Sequence, residues 1–198
     1  MGKAREPKKV KLIIGLLAKN KKLLNGTEEF FVKEFGKIDY RSRDIDFTYT
    51  GYYKKEMGEP LTRRFISFGR LIPPDHIIKA KHATNRLEKR FSVKTADEAK
   101  RQINIDPGYI CDSKLVLATT KDYFHRIYMG KGIYAEVTLA WQKGAFRPFE
   151  WTYPDYRSGE YAAILSDIRD IFMKNKDCLL YTSPSPRDRT RSRMPSSA

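Results

Sequence analysis

Apolar and polar side chains alternate along the segment that follows Gly130-Lys-Gly132, and this alternation limits the fold more than any other feature of the chain. Successive side chains of a β-strand point to opposite faces of a sheet, so residues two apart share a face. Glu136 is therefore expected outside the apolar layer. The glycine-containing turn joins His125–Met129 to Ile133–Leu139, which predicts a β-hairpin. The apolar face would carry Ile133, Ala135, Val137, Leu139 and Trp141, and the polar face Tyr134, Glu136 and Thr138.

Several other segments are short and rich in β-branched, aromatic or aliphatic residues, which is typical of strands. Ile103–Tyr109 is predicted as a strand that ends in a Pro-Gly turn. The apolar run near the amino terminus is too short to span a bilayer and is interpreted as a buried strand. The remaining predicted strands are Val10–Leu17, Ile38–Thr50, Leu61–Ile72 and Leu115–Thr119.

Three segments have helical signals. Polar residues at 25–27 predict a helix that opens at Glu28 and ends at Gly36. Pro73-Pro74-Asp75 predicts the start of a second helix, and a third is expected over Tyr161–Phe172. In the second helix Ile77, Ala80, Leu87 and Phe91 lie near one face, and the remainder carries Lys79, Lys81, Arg86, Lys89 and Arg90. A solvated basic face is the favoured interpretation, ahead of a nucleic-acid contact.

The end of the chain resembles a translated sequencing adapter. Cys178–Asp188 is the in-frame reading of a transposase mosaic end with its adapter, and Ser192–Ala198 is the reading of the adapter's far end. We therefore expect the native chain to stop at about Asp177 and residues 178–198 to be a disordered artefact. A real Ser/Pro/Arg-rich tail is the alternative.

These patterns together predict an α+β fold, a single domain with a mainly antiparallel central sheet and about three helices. We expect a basic flexible amino terminus at 1–9 and the domain at 10–177, with its last helix truncated by the adapter. The formal net charge is +15, and it falls to +12 without the tail, which holds four arginines and one aspartate. Such a charge favours phosphates, nucleic acid or anionic surfaces. Cys111 would be the one native cysteine, which suits a reducing, cytoplasmic location and no membrane span.

Polar side chains concentrate at the predicted strand ends between positions 104 and 136. Carboxylates, an imidazole and cations gathered in this way can bind a hard metal such as magnesium or perform acid–base chemistry. An ion-pair network on a solvated sheet face is an alternative interpretation that the residue types support equally well. The candidate catalytic residues are Asp106, Asp122, His125 and Glu136; the candidate phosphate ligands are Asn104, Lys121 and Arg126; the candidate metal ligands are Asp106, Asp122 and Glu136.

Seven stretches between Lys11 and Ile171 resemble the bacterial and archaeal domain-of-unknown-function family 4416. They are Phe47–Gly58, Thr84–Glu88, Asn104–Tyr109, Lys114–Asp122, His125–Tyr128, Gly132–Leu139 and Trp151–Tyr156. The resemblance implies one domain over nearly the whole native chain and no established activity. Some family members carry a GTP-binding label. The sequence has no Gly-x-x-x-x-Gly-Lys-Ser/Thr motif, however, and Gly130-Lys-Gly132 belongs to a hairpin, so a P-loop GTPase is not expected.

Aromatic residues cluster twice outside these strand ends. Trp151–Tyr156 could form a platform for a base or sugar with Asp155 as an acceptor, but a turn packed on the core is favoured. Tyr52, Tyr53 and Glu56 allow the same two interpretations. Cys111 has no neighbouring histidine in the sequence, which argues against a cysteine nucleophile.

Two hypotheses about function follow. The first is an enzyme or ligand-binding domain acting on a phosphorylated small molecule or nucleotide, with the three carboxylates binding metal or transferring protons. In it His125 would act as acid or base, and Lys121 and Arg126 would hold phosphate. The second is a non-catalytic RNA- or nucleic-acid-binding module that uses the basic helix and the amino-terminal lysines. A concave site joining the carboxylates to His125 would favour the first hypothesis, and a flat basic face the second.

Overall fold

The structure is a computed structural model that describes residues 2–94 and 99–182. Three long helices and a mainly antiparallel sheet confirm the predicted α+β fold. The last helix runs to Thr182, and the rest of the predicted adapter-derived segment, 183–198, lies outside the described residues. The helices are α1 Lys21–Phe35, α2 Lys54–Met57, α3 Ile77–Phe91 and α4 Gly159–Thr182.

The central sheet has its most buried strand, β1, between two antiparallel neighbours. Its strand order is β11-β10-β8-β7-β1-β4-β2, with β3 paired to β4 and β9 to β10. A separate small ribbon joins β5 to β6. The strands are β1 Lys11–Ala18, β2 Ile38–Arg41, β3 Ile45–Asp46, β4 Thr62–Phe68, β5 Val93–Lys94, β6 Ala99–Lys100, β7 Ile103–Ile110, β8 Lys114–Thr119, β9 Ile127–Gly130, β10 Ile133–Gln142 and β11 Ala145–Pro148.

Both faces of the sheet are covered, because β1 is apolar at nearly every position and therefore needs a layer on each side. Helices α1 and α3 pack on the face that carries Leu12, Ile14 and Leu16. Helix α4 packs on the opposite face through side chains that include Tyr161 and Phe172. The core is thus three layers deep, with the sheet in the middle.

The predicted hairpin is confirmed, but its apolar face is divided. Residues 130–132 turn with positive φ angles of 107°, 54° and 74° and join β9 to β10. The register shifts between Val137 and Leu139, so Thr138 is an extra residue that reverses the alternation. Ile133 and Ala135 pack towards α3, whereas Leu139 packs towards α4 on the same face as Glu136. The prediction of one shared apolar face was therefore wrong.

Three element boundaries also differ from the prediction. Helix α1 begins at Lys21, because Asn20 caps it by accepting a hydrogen bond from the Lys22 amide at 2.7 Å. The segment predicted as one strand over Ile38–Thr50 is broken into β2 and β3. Strand β7 does not turn at its Pro-Gly pair and continues to Ile110. Within the described residues, no helix is both long and apolar enough to cross a membrane.

Candidate functional site

Strands β7 and β8 are paired at one end and separate at the other. We call the opening between Ile103–Pro107 of β7 and the unpaired end of β8 the fork. Their ladder begins at Gly108 opposite Leu117 and continues only towards Ile110 and Leu115. The strands meet so closely at Gly108 that an added Cβ would lie 2.5 Å from the Val116 carbonyl oxygen. On the other side of Gly108, from Ile103 to Pro107, β7 pairs with β1 alone. Proline is tolerated there because a strand edge without a partner needs no N–H donor.

Helix α3 fills the back of the fork. The Lys81 ammonium donates to the Ile105 carbonyl oxygen at 3.3 Å, and a Glu88 carboxylate oxygen accepts from the Ile105 amide. The two side chains thereby satisfy the strand edge that β8 leaves open. Both are buried, so the prediction that Lys81 belongs to the exposed basic face was wrong. Burial raises the pKa of Glu88 to about 7, although Lys81 opposes the shift.

A pocket of about 500 Å³ opens in front of the fork. This volume lies within the usual range for small-molecule sites. Its wall is rich in aromatic rings and carries charges of both signs. The rings belong to Phe47, Tyr49, Tyr52, Tyr53, Tyr153 and Tyr156; the cations are Arg63, Lys81, Lys121 and Arg126; the carboxylates are Asp106, Glu136 and Asp155.

The floor of the pocket is built around Arg63 of β4, which is 1% exposed. Its guanidinium lies 3.3 Å from Asp106 and 3.2 Å from Asp155, so one buried cation serves two carboxylates. Gly15 makes room for this arrangement, because a Cβ there would lie 3.2 Å from the Arg63 Nη1 and 3.3 Å from the Tyr156 hydroxyl. Burial raises the pKa of Asp155, and the charge of Arg63 opposes that shift. The Arg63 Nε and the Tyr156 hydroxyl are buried without a hydrogen-bond partner among the described residues.

Asp106 presents one carboxylate oxygen to the pocket. Its Oδ2 accepts from Asn104 at 2.7 Å and from Arg63 at 3.3 Å. Its Oδ1 has no hydrogen-bond partner among the residues that the structure describes, and the side chain is 27% exposed. Asn104 therefore orients Asp106 from behind, and it does not line the pocket itself. An oriented carboxylate with one free oxygen can accept a hydrogen bond or a proton.

Glu136 is committed to an ion-pair cluster at one side of the pocket. Its Oε2 accepts from the Arg126 Nε at 2.8 Å and lies 3.1 Å from the His125 Nε2. Two consecutive residues of a regular strand point to opposite faces, so strand alternation alone would direct only one of them towards Glu136. Both reach it because they lie in the turn before β9, where strand alternation does not apply. The His125 ring is stacked on Trp151, with ring centres 5.4 Å apart, and does not line the pocket.

Lys121 is an exposed residue at the edge of the pocket. Its ammonium lies 3.4 Å from the Tyr52 hydroxyl and 5.6 Å from the centre of that ring. Asp122 is exposed beyond the end of β8 and is not part of the pocket wall. Among the described residues, no three His, Cys, Asp or Glu side chains are grouped so that they could hold a metal ion. The predicted magnesium ligands Asp106, Asp122 and Glu136 are thus not brought together, because each points to a different neighbour or to solvent.

Comparison with known protein families gives one match. The model of the family described as Domain of unknown function (DUF4416) matches residues 8–172, which include every residue of the pocket wall. The chain belongs to this family. The resemblance found in the sequence is thereby confirmed. No curated protein and no solved structure matches the chain.

In this DUF4416 domain, the structure adds pocket residues that the sequence did not indicate. Arg63 and Lys81 were missed because each is a cation inside an otherwise ordinary strand or helix pattern. Tyr153 and Asp155 were noted, but as parts of a turn packed on the core. Tyr53 and Tyr156, for which the sequence left both a ligand platform and a core position open, line the pocket as well. The roles predicted for Asp106, Asp122, His125 and Glu136 in catalysis, and for Asn104, Lys121 and Arg126 in phosphate binding, stay predictions.

Proposed function

We propose that this domain is an enzyme or ligand-binding protein that acts on a phosphorylated small molecule of nucleotide size. The observation that carries the proposal is the pocket itself. Tyrosine rings form its wall, a free carboxylate oxygen of Asp106 lies inside it, and the Lys121 cation lies at its rim. This order of groups matches a ligand with a planar ring, sugar hydroxyls and a phosphate.

Each part of such a ligand has a complementary group. Tyrosine rings stack on planar bases, and a carboxylate oxygen accepts hydrogen bonds from sugar hydroxyls. The floor suits neutral groups better than phosphate, because Arg63 already faces Asp106 and Asp155. Phosphate is better placed against Lys121, whose ammonium makes no ion pair within the described chain. If the domain is an enzyme, Asp106 is the group that we expect to move a proton.

Calorimetric titration with uridine, UMP and the other nucleoside monophosphates tests the proposal. We expect a monophosphate to bind, and Lys121→Ala to weaken it about tenfold through loss of a charge-assisted hydrogen bond. Lys121→Ala should leave binding of the matching nucleoside unchanged. Lys33→Ala, which removes an exposed lysine of α1 that is not part of the pocket wall, is the matched control. Absence of binding by every nucleotide, or equal losses in both variants, would overturn the proposal.

The alternative is a nucleic-acid-binding module that uses α3. Its exposed basic surface is smaller than predicted, because Lys81 is buried and Lys79 lies 3.5 Å from Glu34. Arg86 and Lys89 stay exposed. If α3 is the interface, replacing Lys79, Arg86 and Lys89 together by Ala should flatten the salt dependence of nucleic-acid binding. Binding that is unchanged by this triple substitution would exclude α3.

A further inference from the structure

Four exposed aromatic side chains lie on the pocket wall or on the turn that follows the pocket residue Lys121. Tyr52, Tyr123, Phe124 and Tyr153 are 62%, 61%, 79% and 47% exposed, respectively. We call these four residues the aromatic rim. Exposed apolar groups gathered at one place on a protein surface usually mark an interaction site. Two of them, Tyr52 and Tyr153, line the pocket, and the other two pack on each other in the turn between the pocket residues Lys121 and Arg126.

Arg126 fixes the turn that carries Tyr123 and Phe124 and links it to Tyr153. Its amide donates to the Tyr123 carbonyl oxygen at 2.9 Å, and its guanidinium donates to the Lys121 carbonyl oxygen at 3.1 Å and to the Tyr153 hydroxyl at 2.7 Å. The guanidinium is anchored in turn by the buried Glu136. The backbone of this turn and the Tyr153 side chain would therefore lose little conformational freedom when a partner binds here.

We propose that the pocket receives the 3′-terminal nucleotide of a single-stranded RNA, whose preceding bases stack on the aromatic rim. This inference rests on the proposed function. Aromatic rings interleaved with cations on a basic protein are the usual means of binding single strands, because every base has a face that can stack. The chain has a formal charge of +12 without the adapter-derived tail, and Lys121 lines the pocket beside Tyr52 of the aromatic rim.

The positions of the charged groups along the pocket favour binding of the 3′ end of the strand over its 5′ end. A 3′-terminal ribonucleotide has two free hydroxyls on its sugar and carries its phosphate on the side that leads to the rest of the chain. With the sugar near Asp106, those hydroxyls can donate to the free Oδ1, and the phosphate lies near Lys121 at the mouth. A 5′-terminal phosphate would instead have to enter a floor where Arg63 is already shared by two carboxylates.

Fluorescence anisotropy on the full chain tests the inference with an oligouridylate of about ten nucleotides, a length typical of single-strand sites, labelled at its 5′ end. We expect it to bind at least about tenfold more tightly than UMP, since each stacked base adds affinity. Phe124→Ala should weaken binding of the oligouridylate about tenfold and leave the affinity for UMP unchanged. Val32→Ala, which removes another exposed apolar side chain, should change neither. Thermal melting of both variants checks that the fold is intact.

Changing the hydroxyl groups at the 3′ terminus of the oligouridylate gives a second test of binding. Removing both terminal hydroxyls of the oligouridylate should weaken binding about fivefold or more, because Asp106 loses its donors. The corresponding oligothymidylate, which lacks 2′-hydroxyls, should also bind more weakly. Asp122→Asn should strengthen binding at low salt, because Asp122 is the exposed carboxylate beside the rim.

The outcomes separate this inference from the proposed function. UMP binding with an oligouridylate that binds no more tightly, or with no effect of Phe124→Ala, would overturn the RNA end while leaving the nucleotide pocket in place. Equal binding of the blocked and free ends would do the same. Absence of binding by both UMP and the oligouridylate would overturn both.

Discussion

Single residues decide where the sheet opens. At Gly108 the backbones of β7 and β8 meet, and a Cβ would lie 2.5 Å from the Val116 carbonyl oxygen and 2.6 Å from the Leu117 Cδ2. The first of these atoms belongs to the backbone and cannot move aside without breaking the ladder. Gly108 thus fixes the closed end of the fork, and through it the position of the pocket.

We expect Gly108→Ala to lower the free energy of unfolding by about 2–3 kcal/mol, as overpacking usually does. Gly26→Ala is the matched control, because Gly26 lies in α1 and a Cβ there meets nothing within 4 Å. That change should raise stability by about 0.5–1 kcal/mol through better helix propensity. Urea unfolding of both variants measures the difference. Equal stability of the two would show that the strands can separate at Gly108 without cost.

Glu136 is a second position where one side chain has large effects. The sequence predicted a charge outside the apolar layer, but the side chain is 2% exposed and pairs with Arg126. We expect Glu136→Gln to lower the free energy of unfolding by about 3 kcal/mol, because it leaves a largely buried guanidinium without its anion. Glu160→Gln, at the exposed pair with Arg43, should cost less than about 1 kcal/mol. A mild effect of Glu136→Gln in chemical denaturation would contradict a structural role.

At the scale of elements, α3 acts as a substitute for a missing strand. Beyond Gly108, β8 no longer pairs with β7, and Lys81 and Glu88 supply the hydrogen bonds to Ile105 instead. The burial that makes this possible raises the pKa of Glu88 from 4.5 to about 7. The free energy of unfolding of the domain is therefore expected to depend on pH.

The folded state binds the Glu88 proton more tightly than the unfolded chain does. Stability should therefore fall as pH rises from about 4.5 to about 7, and level off above that, by up to roughly 3 kcal/mol. Glu88→Gln keeps an oxygen acceptor for the Ile105 amide but cannot ionise, so it should lose this part of the pH dependence. Denaturant unfolding of both proteins across that range checks the sign. A constant difference between them at all pH values would exclude Glu88 as the titrating group.

At the scale of the whole molecule, the pocket joins parts of the chain that are far apart in sequence. The α2 region contributes Tyr52 and Tyr53, β4 contributes Arg63, β7 contributes Asp106, and the segment before α4 contributes Asp155. Helix α4 secures the last of these, because its side chains pack on the same sheet face as Phe65 and Leu115. The pocket consequently depends on the folded domain as a unit.

Truncation after Asp177 should leave the melting temperature unchanged. The last side chain of α4 that packs against the described core is Met173, so removing residues 178–198 deletes none of the core contacts that the structure describes. Truncation after Asp167 is the contrasting variant, because it removes Ile168 and Phe172 and should destabilise the domain by several kcal/mol. Thermal melting followed by circular dichroism measures both. A clear loss in the first variant would contradict the proposed boundary at about Asp177.

The sequence by itself determined the fold class, the family and most of the strands. Alternation, glycine turns and apolar runs are local patterns, and a strand such as β1 or the hairpin of β9 and β10 forms as its local pattern predicts. It also brought Asp106, Lys121, Arg126 and Glu136 to one region, since consecutive antiparallel strands are usually neighbours in a sheet.

Only the tertiary structure decided which of those groups face a pocket and what each one contacts. The extra residue at Thr138 reverses which side chains of β10 share a face, and nothing in the alternation marks it. Arg63 meets Asp106 and Asp155 only because β4, β7 and the segment before α4 come together across Gly15. Such contacts join residues far apart in the chain, and their geometry is set by packing, which local sequence patterns do not encode.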